Sequence, residues 1–229
     1  MSDDISALNE FFGIARLFPL PNLVLFPSVI QPLHIFEPRY RQMTAHALSS
    51  DRLLTSVLLR PDWEEEYEGR PAIHEVACLG KIVADQRLED GRYNLLLRGL
   101  RRVRILEEIS SPKWYRSARV ELLPETDVKC LKAASSFRRK LGELVPRWFP
   151  NQAAVLAQFR RLLASNLSVG TLCDIFSFAL PLDVLVKQQL LEQLDVVQRS
   201  QTLLEHLQAH AGKEASICER RFPPAFSQN

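Results

Sequence analysis

The sequence predicts an α+β protein whose first half is rich in β-strands and whose second half is helical. Short apolar runs bounded by proline, glycine and aspartate recur through residues 14–123, which is typical of strands. The apolar period becomes helical after Pro124. The 229 residues are 46% hydrophobic and 24% charged, as in an ordinary folded protein. We therefore expect two folded segments, 14–123 and 124–211, between a flexible leader (1–13) and a flexible tail (212–229).

The β-rich half opens with two strand-like runs, at 14–20 and 23–27. Prolines break this region, so its strands must be short, bent or at a sheet edge, because proline cannot donate to a strand ladder. Asp90 and Gly91 fit a hairpin turn, since both tolerate positive φ, and Gly99 fits a turn or a bulge. Later strands are predicted at 53–59, 76–85, 93–98, 102–109 and 118–122.

One helix is predicted inside the β-rich half, beginning at Pro38. Proline suits the first helical position because the N–H that it lacks would have no partner there. Tyr40, Met43, Ala47 and Leu48 then fall on one face of the helix. We expect this face to pack against the strands.

The second half predicts a helical bundle, because its apolar residues recur every three or four positions. Ser168 and Asp183 are placed to cap two of its helices. Asp195 with Gln198 resembles a capping box, and Pro181 separates two helices. The apolar stripes lie at 137–148, 155–163, 172–179, 186–194 and 203–207.

Composition and charge exclude several classes of protein. The net charge of +2 does not resemble that of a dedicated nucleic-acid binder. No apolar run approaches the roughly 20 residues of a membrane span, and the acidic N-terminus does not resemble a signal peptide. We expect a cytoplasmic protein without a membrane partner, whose cysteines are buried free thiols. These are Cys78, Cys130, Cys173 and Cys218.

Catalytic and metal-binding motifs are missing from the sequence. Gly80 and Lys81 lack the upstream glycine and the following Ser or Thr of an ATPase phosphate loop. There is no nucleophile elbow of a serine hydrolase. His206 and His210 have the spacing of helical metal ligands, but no third ligand is evident. We therefore expect no enzymatic activity, no cofactor and no metal.

A basic run at residues 98–104 has two interpretations. Arg98, Arg102 and Arg104 are candidate contacts for phosphate or RNA. The alternative is a hairpin strand whose solvent face carries Arg102 and Arg104, while Val103 and Ile105 point inward. The nearly neutral charge of this half favours the alternative.

Two other segments are candidate binding sites for polypeptides. In the charged loop at 61–71, Trp63 and Tyr67 can form a contact surface for extended peptides or fold back on the protein. At 36–40, Phe36 and Arg39 can contact a ligand, or the segment can simply turn the chain from a strand into the helix.

These segments together resemble the N-terminal domain of Lon proteases, over about residues 14–208. In the β-rich half the similar segments are 19–27, 32–40, 80–83 and 90–105. In the helical half they are 172–174, 180–182, 187–188 and 190–192, with Arg199, Leu203 and Leu204. Ser28 departs from the family, which usually has glycine there, and this departure questions the local turn.

The resemblance implies a small β-barrel of the PUA-like type with one inserted helix, followed by an all-α helical bundle. It also implies recognition of substrate polypeptides. Lon proteases continue into an ATPase module and a Ser–Lys peptidase module, and this sequence stops before both, so it resembles a stand-alone form of the domain. Proteolysis is not implied.

We therefore expect a non-enzymatic module that binds unfolded or client polypeptides, through Trp63, Tyr67, Phe36 and Arg39. A protease or chaperone component is a second expected partner. The family's N-terminal regions associate, so a homodimer is compatible with the resemblance, although no residue pattern here supports one. The alternative function is a small-molecule or RNA-binding PUA-like module.

Overall fold

The structure is a computed structural model of the chain. It describes residues 7–66, 69–125, 131–149, 152–209 and 227–228. The chain divides into two compact units between Leu123 and Pro124, with residues 226–229 assigned to the first unit. The first unit is a mixed β-sheet with one long helix, and the second is helical, so the fold is α+β.

The first unit contains seven strands among the described residues. They are β1 (Ile14–Leu20), β2 (Ile30–Ile35), β3 (Leu53–Leu58), β4 (Val76–Arg87), β5 (Tyr93–Ile109), β6 (Ser117–Leu122) and β7 (Ser227–Gln228). Their order in the sheet is β4-β3-β1-β6-β5-β2-β7, and β4 also pairs with β5. The pairing of β1, β3, β4, β5 and β6 therefore closes on itself. β1 runs parallel to β3 and β2 runs parallel to β7, and the other pairs are antiparallel.

Most of the predicted strands are confirmed, but the run at 23–27 is not a strand. It forms a loop in which Val24, Leu25 and Phe26 are buried. The strand begins later, at Ile30. Apolar loop residues that pack against a sheet have the same composition as a short buried strand, which explains the error.

The core of the β unit is formed by inward-facing residues from five strands. It contains Ala15, Leu17, Leu53, Val57, Ala77, Leu79, Val103, Ala118 and Val120. Leu8 and Phe11, which precede the first strand, pack against this cluster. Two apolar side chains three positions apart thus contact the core from residues 7–13, and the prediction of a flexible leader stays a prediction. Residues 1–6 lie outside the described part of the chain.

The helix predicted at Pro38 is confirmed as α1 (Pro38–Leu48). Tyr40, Met43 and Ala47 are buried on its inner face. The ring of Tyr40 meets the ring of Phe18 of β1 edge-on, at 4.7 Å between centroids. The apolar period of the sequence thus predicts both the helix and the face that it buries.

The region around Gly99 is one continuous strand and not two. β5 runs unbroken from Tyr93 to Ile109, and its register with β4 shifts between Leu79 and Gly80. Of the two alternatives for Gly99, the turn is wrong and the irregularity within a strand is present. The turn that joins β4 to β5 lies at Asp90 and Gly91, where Gly91 has a φ of +78°.

Ser28 has a φ of +65°, and its N–H donates to the Gly99 carbonyl at 2.8 Å. This left-handed conformation strains an L-residue, and glycine adopts it without that cost. We expect Ser28→Gly to raise the stability of the β unit by about 0.5–1 kcal/mol, since the relief of strain outweighs the added chain entropy. Chemical denaturation measures the change. Ser49→Gly is the control, because Ser49 has a φ of −84° and its replacement must lower stability.

The second unit contains five helices among the described residues, joined in one place by a 3₁₀ turn at Val145–Arg147. The helices are α2 (Leu131–Leu144), α3 (Ala153–Ala164), α4 (Val169–Ala179), α5 (Val184–Glu192) and α6 (Val196–Ala209). The rings of Phe149, Phe159 and Phe176 pack in a row, with centroids 5.3 and 4.9 Å apart.

The predicted helix caps are confirmed. Ser168 Oγ accepts from the N–H of Thr171 at 3.1 Å, and Asp183 Oδ1 accepts from the N–H of Leu185 at 2.8 Å. Asp195 Oδ1 accepts from the N–H of Gln198 at 3.0 Å. The N–H of Asp195 donates to Gln193 Oε1 and not to Gln198. Only one of the two hydrogen bonds of the predicted capping box is therefore present.

The cysteines that the structure describes agree with the prediction of free thiols. Cys78 and Cys173 are buried, and neither forms a disulfide. Cys130 and Cys218 lie outside the described residues. The predicted flexible tail at 212–229 is also largely outside them, but residues 227–228 form a strand on β2.

Candidate functional site

One face of β2 carries an exposed apolar stripe. Along this segment the odd-numbered residues are buried, while Ile30 is 44% and Phe36 is 41% exposed. Pro32 and His34 between them are half-buried. The rings of His34 and Phe36 stack with centroids 6.3 Å apart, which places both on the same side. We call Ile30, Pro32, His34 and Phe36 the β2 stripe.

His34 is held in a fixed orientation by two neighbours. Its Nδ1 lies 2.7 Å from Asn94 Oδ1, and its Nε2 lies 3.3 Å from a guanidinium nitrogen of Arg92. A guanidinium can only donate, so Nε2 accepts and Nδ1 carries the proton that is donated to Asn94. The imidazole therefore presents a fixed, flat surface beside Phe36.

The β4–β5 turn beside His34 is also ordered by charge. Arg92 donates from its backbone N–H and from Nε to the carboxylate of Asp90. The backbone hydrogen bond, then the side chain of Arg92, and then the charge of Arg41 hold the pKa of Asp90 below its ordinary value. Asp90 therefore stays ionised at neutral pH and keeps Arg92 in place.

The outer backbone edge of β2 lies beside the β2 stripe. The N–H of Gly99 donates to the Val29 carbonyl at 2.8 Å. In an antiparallel pair, alternate residues exchange hydrogen bonds with the partner strand. The odd-numbered residues of β2 therefore direct their backbone groups to β5, and Ile30, Pro32 and His34 direct theirs to the outer edge. Proline is expected at such a position.

Arg39, a predicted contact residue, is engaged within the protein. Its Nε donates to Glu37 Oε2 at 2.9 Å, and its guanidinium lies 4.7 Å from the centroid of the Tyr40 ring. The structure places Phe36 and Arg39 at the same strand-to-helix corner, with Phe36 exposed to solvent. Of the two, Phe36 is the residue that offers an open apolar surface.

Trp63, the other predicted contact that the structure describes, is half-buried and interacts with neighbouring groups. It precedes a 3₁₀ turn at Glu64–Glu66. Tyr67 lies outside the described residues. The prediction for this loop stays a prediction.

The basic run at 98–104 does not form an exposed cationic face. Arg102 is 0% exposed, so its predicted position on the solvent face is wrong. Arg104 is exposed but pairs with Glu121 at 3.0 Å, and Arg98 is half-buried and has partners of its own. Arg102 lies opposite Cys78 in the β4–β5 register. A Cβ on Gly99 would meet both Cys78 Sγ and the Phe26 carbonyl, so we infer that the loop at Phe26 lies over the face of β5 that carries Arg102.

Ile30 and His34 were not predicted as site residues. Strand alternation around Pro32 is the sequence feature that could have identified them. It assigns residues to the exposed face only when the first residue of the strand is known. Their exposure depends on the sheet order, which places β2 outside the closed ring.

Neither a metal site nor a membrane span is found in the part of the chain that the structure describes. Within it, no three His, Cys, Asp or Glu side chains gather closely enough to hold a metal ion. None of its helices has the length and apolar character needed to cross a lipid bilayer.

Comparison with known proteins gives a consistent family. The model of the ATP-dependent protease La (LON) substrate-binding domain matches residues 14–209. The Lon protease of Dictyoglomus thermophilum is 26% identical over 208 residues, which cover 89% of this chain and 25% of that protein. Lon protease 2 of Herpetosiphon aurantiacus is 27% identical over 245 residues, which cover 97% of this chain and 29% of that protein. The chain thus spans about a quarter of the length of these relatives.

Solved structures show the same fold. The N-terminal domain of Mycobacterium avium complex Lon protease aligns with a TM-score of 0.66 and 20% identity, over 86% of this chain and 99% of that one. The Lon N-terminal domain protein from Xanthomonas campestris aligns with a TM-score of 0.60 and 24% identity, over 84% of this chain and 97% of that one.

Proposed function

This chain belongs to the family of the ATP-dependent protease La (LON) substrate-binding domain, and from that premise we propose that it is a non-enzymatic module that binds unfolded polypeptides in the cytoplasm. The matched region is a substrate-binding domain, and it corresponds to about a quarter of the relatives' length. The closed pairing of five strands supports the further proposal that the first unit is a PUA-like barrel. A protease or chaperone component remains a proposed second partner.

The observation that carries the proposal is the β2 stripe. An unfolded polypeptide differs from a folded one in its exposed apolar side chains and its unpaired backbone groups. The stripe offers exposed apolar surface at Ile30 and Phe36. The adjacent edge of β2 accepts an extended chain, as it accepts residues 227–228 in this structure. None of the four stripe residues is an acidic residue, a lysine or an arginine. The recognition that we propose therefore does not require a particular pattern of charges in the bound polypeptide.

The RNA alternative has less support. Binding to nucleic acid needs a continuous set of available cations. In the run at 98–104 Arg102 is buried and Arg104 is paired with Glu121. The net charge of the chain is +2.

The small-molecule alternative has a cavity, but the charged residue that lines it is engaged within the protein. A cavity of about 490 Å³ lies in the helical unit, at the turn between α3 and α4. Its charged lining residue, Arg138, donates to the carbonyls of Leu163 and Leu167. The guanidinium therefore holds the turn closed from within the protein.

The stripe is tested with two pairs of substitutions. We expect Ile30→Asp with Phe36→Asp to weaken binding of a permanently unfolded protein, such as carboxymethylated α-lactalbumin, by about tenfold, because charge replaces the apolar contact. Leu185→Asp with Val197→Asp is the matched control, since these residues of the helical unit are 48% and 50% exposed. Fluorescence anisotropy measures both affinities.

Two results of this titration would contradict the proposed surface. One is equal affinity of the two double variants, and the other is loss of affinity in the control pair alone. Competition by RNA, with the unfolded protein displaced in proportion, would instead support the RNA alternative.

A further inference from the structure

The outer edge of β2 already carries an added strand in this structure. Residues 227–228 pair with β2 in parallel, with Ser227 opposite Leu33 and Gln228 opposite His34. This segment lies beyond residues 14–209, which match the family model. The strand that is added to β2 therefore comes from a segment outside the matched region.

The way β2 accepts this strand is consistent with the geometry of its edge. Pro32 has no N–H, so β2 cannot offer an unbroken row of donors to another copy of itself. His34 keeps both backbone groups at the outer edge, and its imidazole is fixed by Asn94 and Arg92. A short extended segment can pair beside His34, where residues 227–228 lie.

A second exposed stretch of strand, residues 83–87 of β4, has different chemistry. β3 pairs with β4 only as far as Lys81, so this stretch extends past it. Asp85 there pairs with Arg52 at 2.6 Å, and Arg52 Nε donates to the Ile82 carbonyl at 3.0 Å. Charged side chains of this kind protect a strand edge from added strands. The outer edge of β2 carries no charged side chain of its own.

We propose that the outer edge of β2 binds an extended polypeptide as an added parallel strand, and that residues 227–228 occupy this edge until such a polypeptide displaces them. The inference rests on the proposed function and assigns to it a binding mode. The ligand is an extended segment with free backbone N–H groups and apolar side chains at alternate positions, which lie along the β2 stripe.

By occupying the edge, residues 227–228 reduce its apparent affinity for an extended polypeptide. Binding requires the open state, so the apparent dissociation constant equals the intrinsic one divided by the open fraction. Alternate residues of a strand face the partner strand, so one of the two N–H groups of residues 227–228 faces β2. Replacing both residues by proline removes that donor and increases the open fraction without changing β2. The full-length chain with Ser227→Pro and Gln228→Pro is the direct test, and Ser227→Ala with Gln228→Ala is its control, because alanine keeps both N–H groups.

We expect the proline variant to bind carboxymethylated α-lactalbumin at least about threefold more tightly than the wild type and the alanine variant. Thermal unfolding of all three chains verifies that each is folded. A fluorescent peptide with the sequence of residues 221–229 binds the proline variant, and the same peptide N-methylated at its serine and glutamine does not.

The outcomes separate this inference from the proposed function. If the wild type binds the unfolded protein but the proline and alanine variants bind it equally, the strand-addition mode is wrong and the proposed function stands. Equal binding of the methylated and unmethylated peptides overturns the mode as well. If no chain binds the unfolded protein, the proposed function itself fails.

Discussion

We expect Arg199→Leu to destabilise the helical unit by about 3–5 kcal/mol, because it removes the cation that lies beside a buried carboxylate. Arg199 is 0% exposed and lies with Nε 3.3 Å from Asp174 Oδ1. Its Nη2 donates to Glu125 Oε1 at 2.7 Å, and its Nη1 donates to the Gln193 carbonyl at 2.8 Å. Asp174 is 1% exposed, so water cannot replace the lost cation. Arg199 thereby ties α6 to α4 and to the start of the unit.

The helical circular-dichroism signal during denaturation measures this loss. Arg139→Leu is the matched control, because Arg139 and Glu143 form an exposed ion pair, 3.8 Å apart. Such pairs contribute about 0–1 kcal/mol. Adding Asp174→Leu to Arg199→Leu must restore part of the lost stability, since it removes the buried negative charge that Arg199 balances. A cost for Arg199→Leu no larger than that of the control would contradict this role.

Gly99→Ala is expected to destabilise the β unit by about 3 kcal/mol or more, beyond the usual cost of overpacking. A Cβ on Gly99 would lie 2.1 Å from the Phe26 carbonyl oxygen and 3.1 Å from Cys78 Sγ. The backbone oxygen cannot turn away as a side chain can. The loop at Phe26 would have to lift from the sheet, which exposes the face of β5 that holds Arg102.

Gly142→Ala is the control for this substitution. Its added Cβ would meet Leu163 Cδ1 at 3.7 Å, an ordinary contact, within α2. There alanine is expected to stabilise the helix by about 0.5–1 kcal/mol. Opposite signs for the two glycines in chemical denaturation are the predicted result. A neutral effect at Gly99 would show that the loop at Phe26 does not pack as described.

Local features of the fold could be predicted from the sequence because their causes are local. α1 follows from the proline at its first position and from an apolar face within 11 residues. The caps at Ser168 and Asp183 each depend on a hydrogen bond to a residue two or three positions away. The turn at Gly91 likewise depends on one dihedral angle.

Features set by distant contacts could not be predicted in this way. Arg102 was assigned to the solvent face by strand alternation, yet the loop at Phe26, far away in sequence, covers that face. The packing of Leu8 and Phe11 on the core has the same origin. Pairing of residues 227–228 with β2 joins positions almost 200 apart, and no pattern in either segment specifies it.

The candidate site was predicted in part. The sequence identified the corner at Phe36 and Arg39, and the structure shows Phe36 exposed there and Arg39 paired with Glu37. Ile30 and His34 become site residues because β2 lies outside the ring of paired strands. That position is a property of the whole sheet, which short-range patterns do not contain.

The most direct measurement of the central claim compares one protein in two states. α-Lactalbumin in its native form and in its carboxymethylated, unfolded form is titrated separately with the wild-type chain, and anisotropy gives both dissociation constants. We predict that the unfolded form binds at least about tenfold more tightly, a difference of roughly 1.4 kcal/mol. Equal affinity for the two forms, or no binding of the unfolded form, would contradict the account.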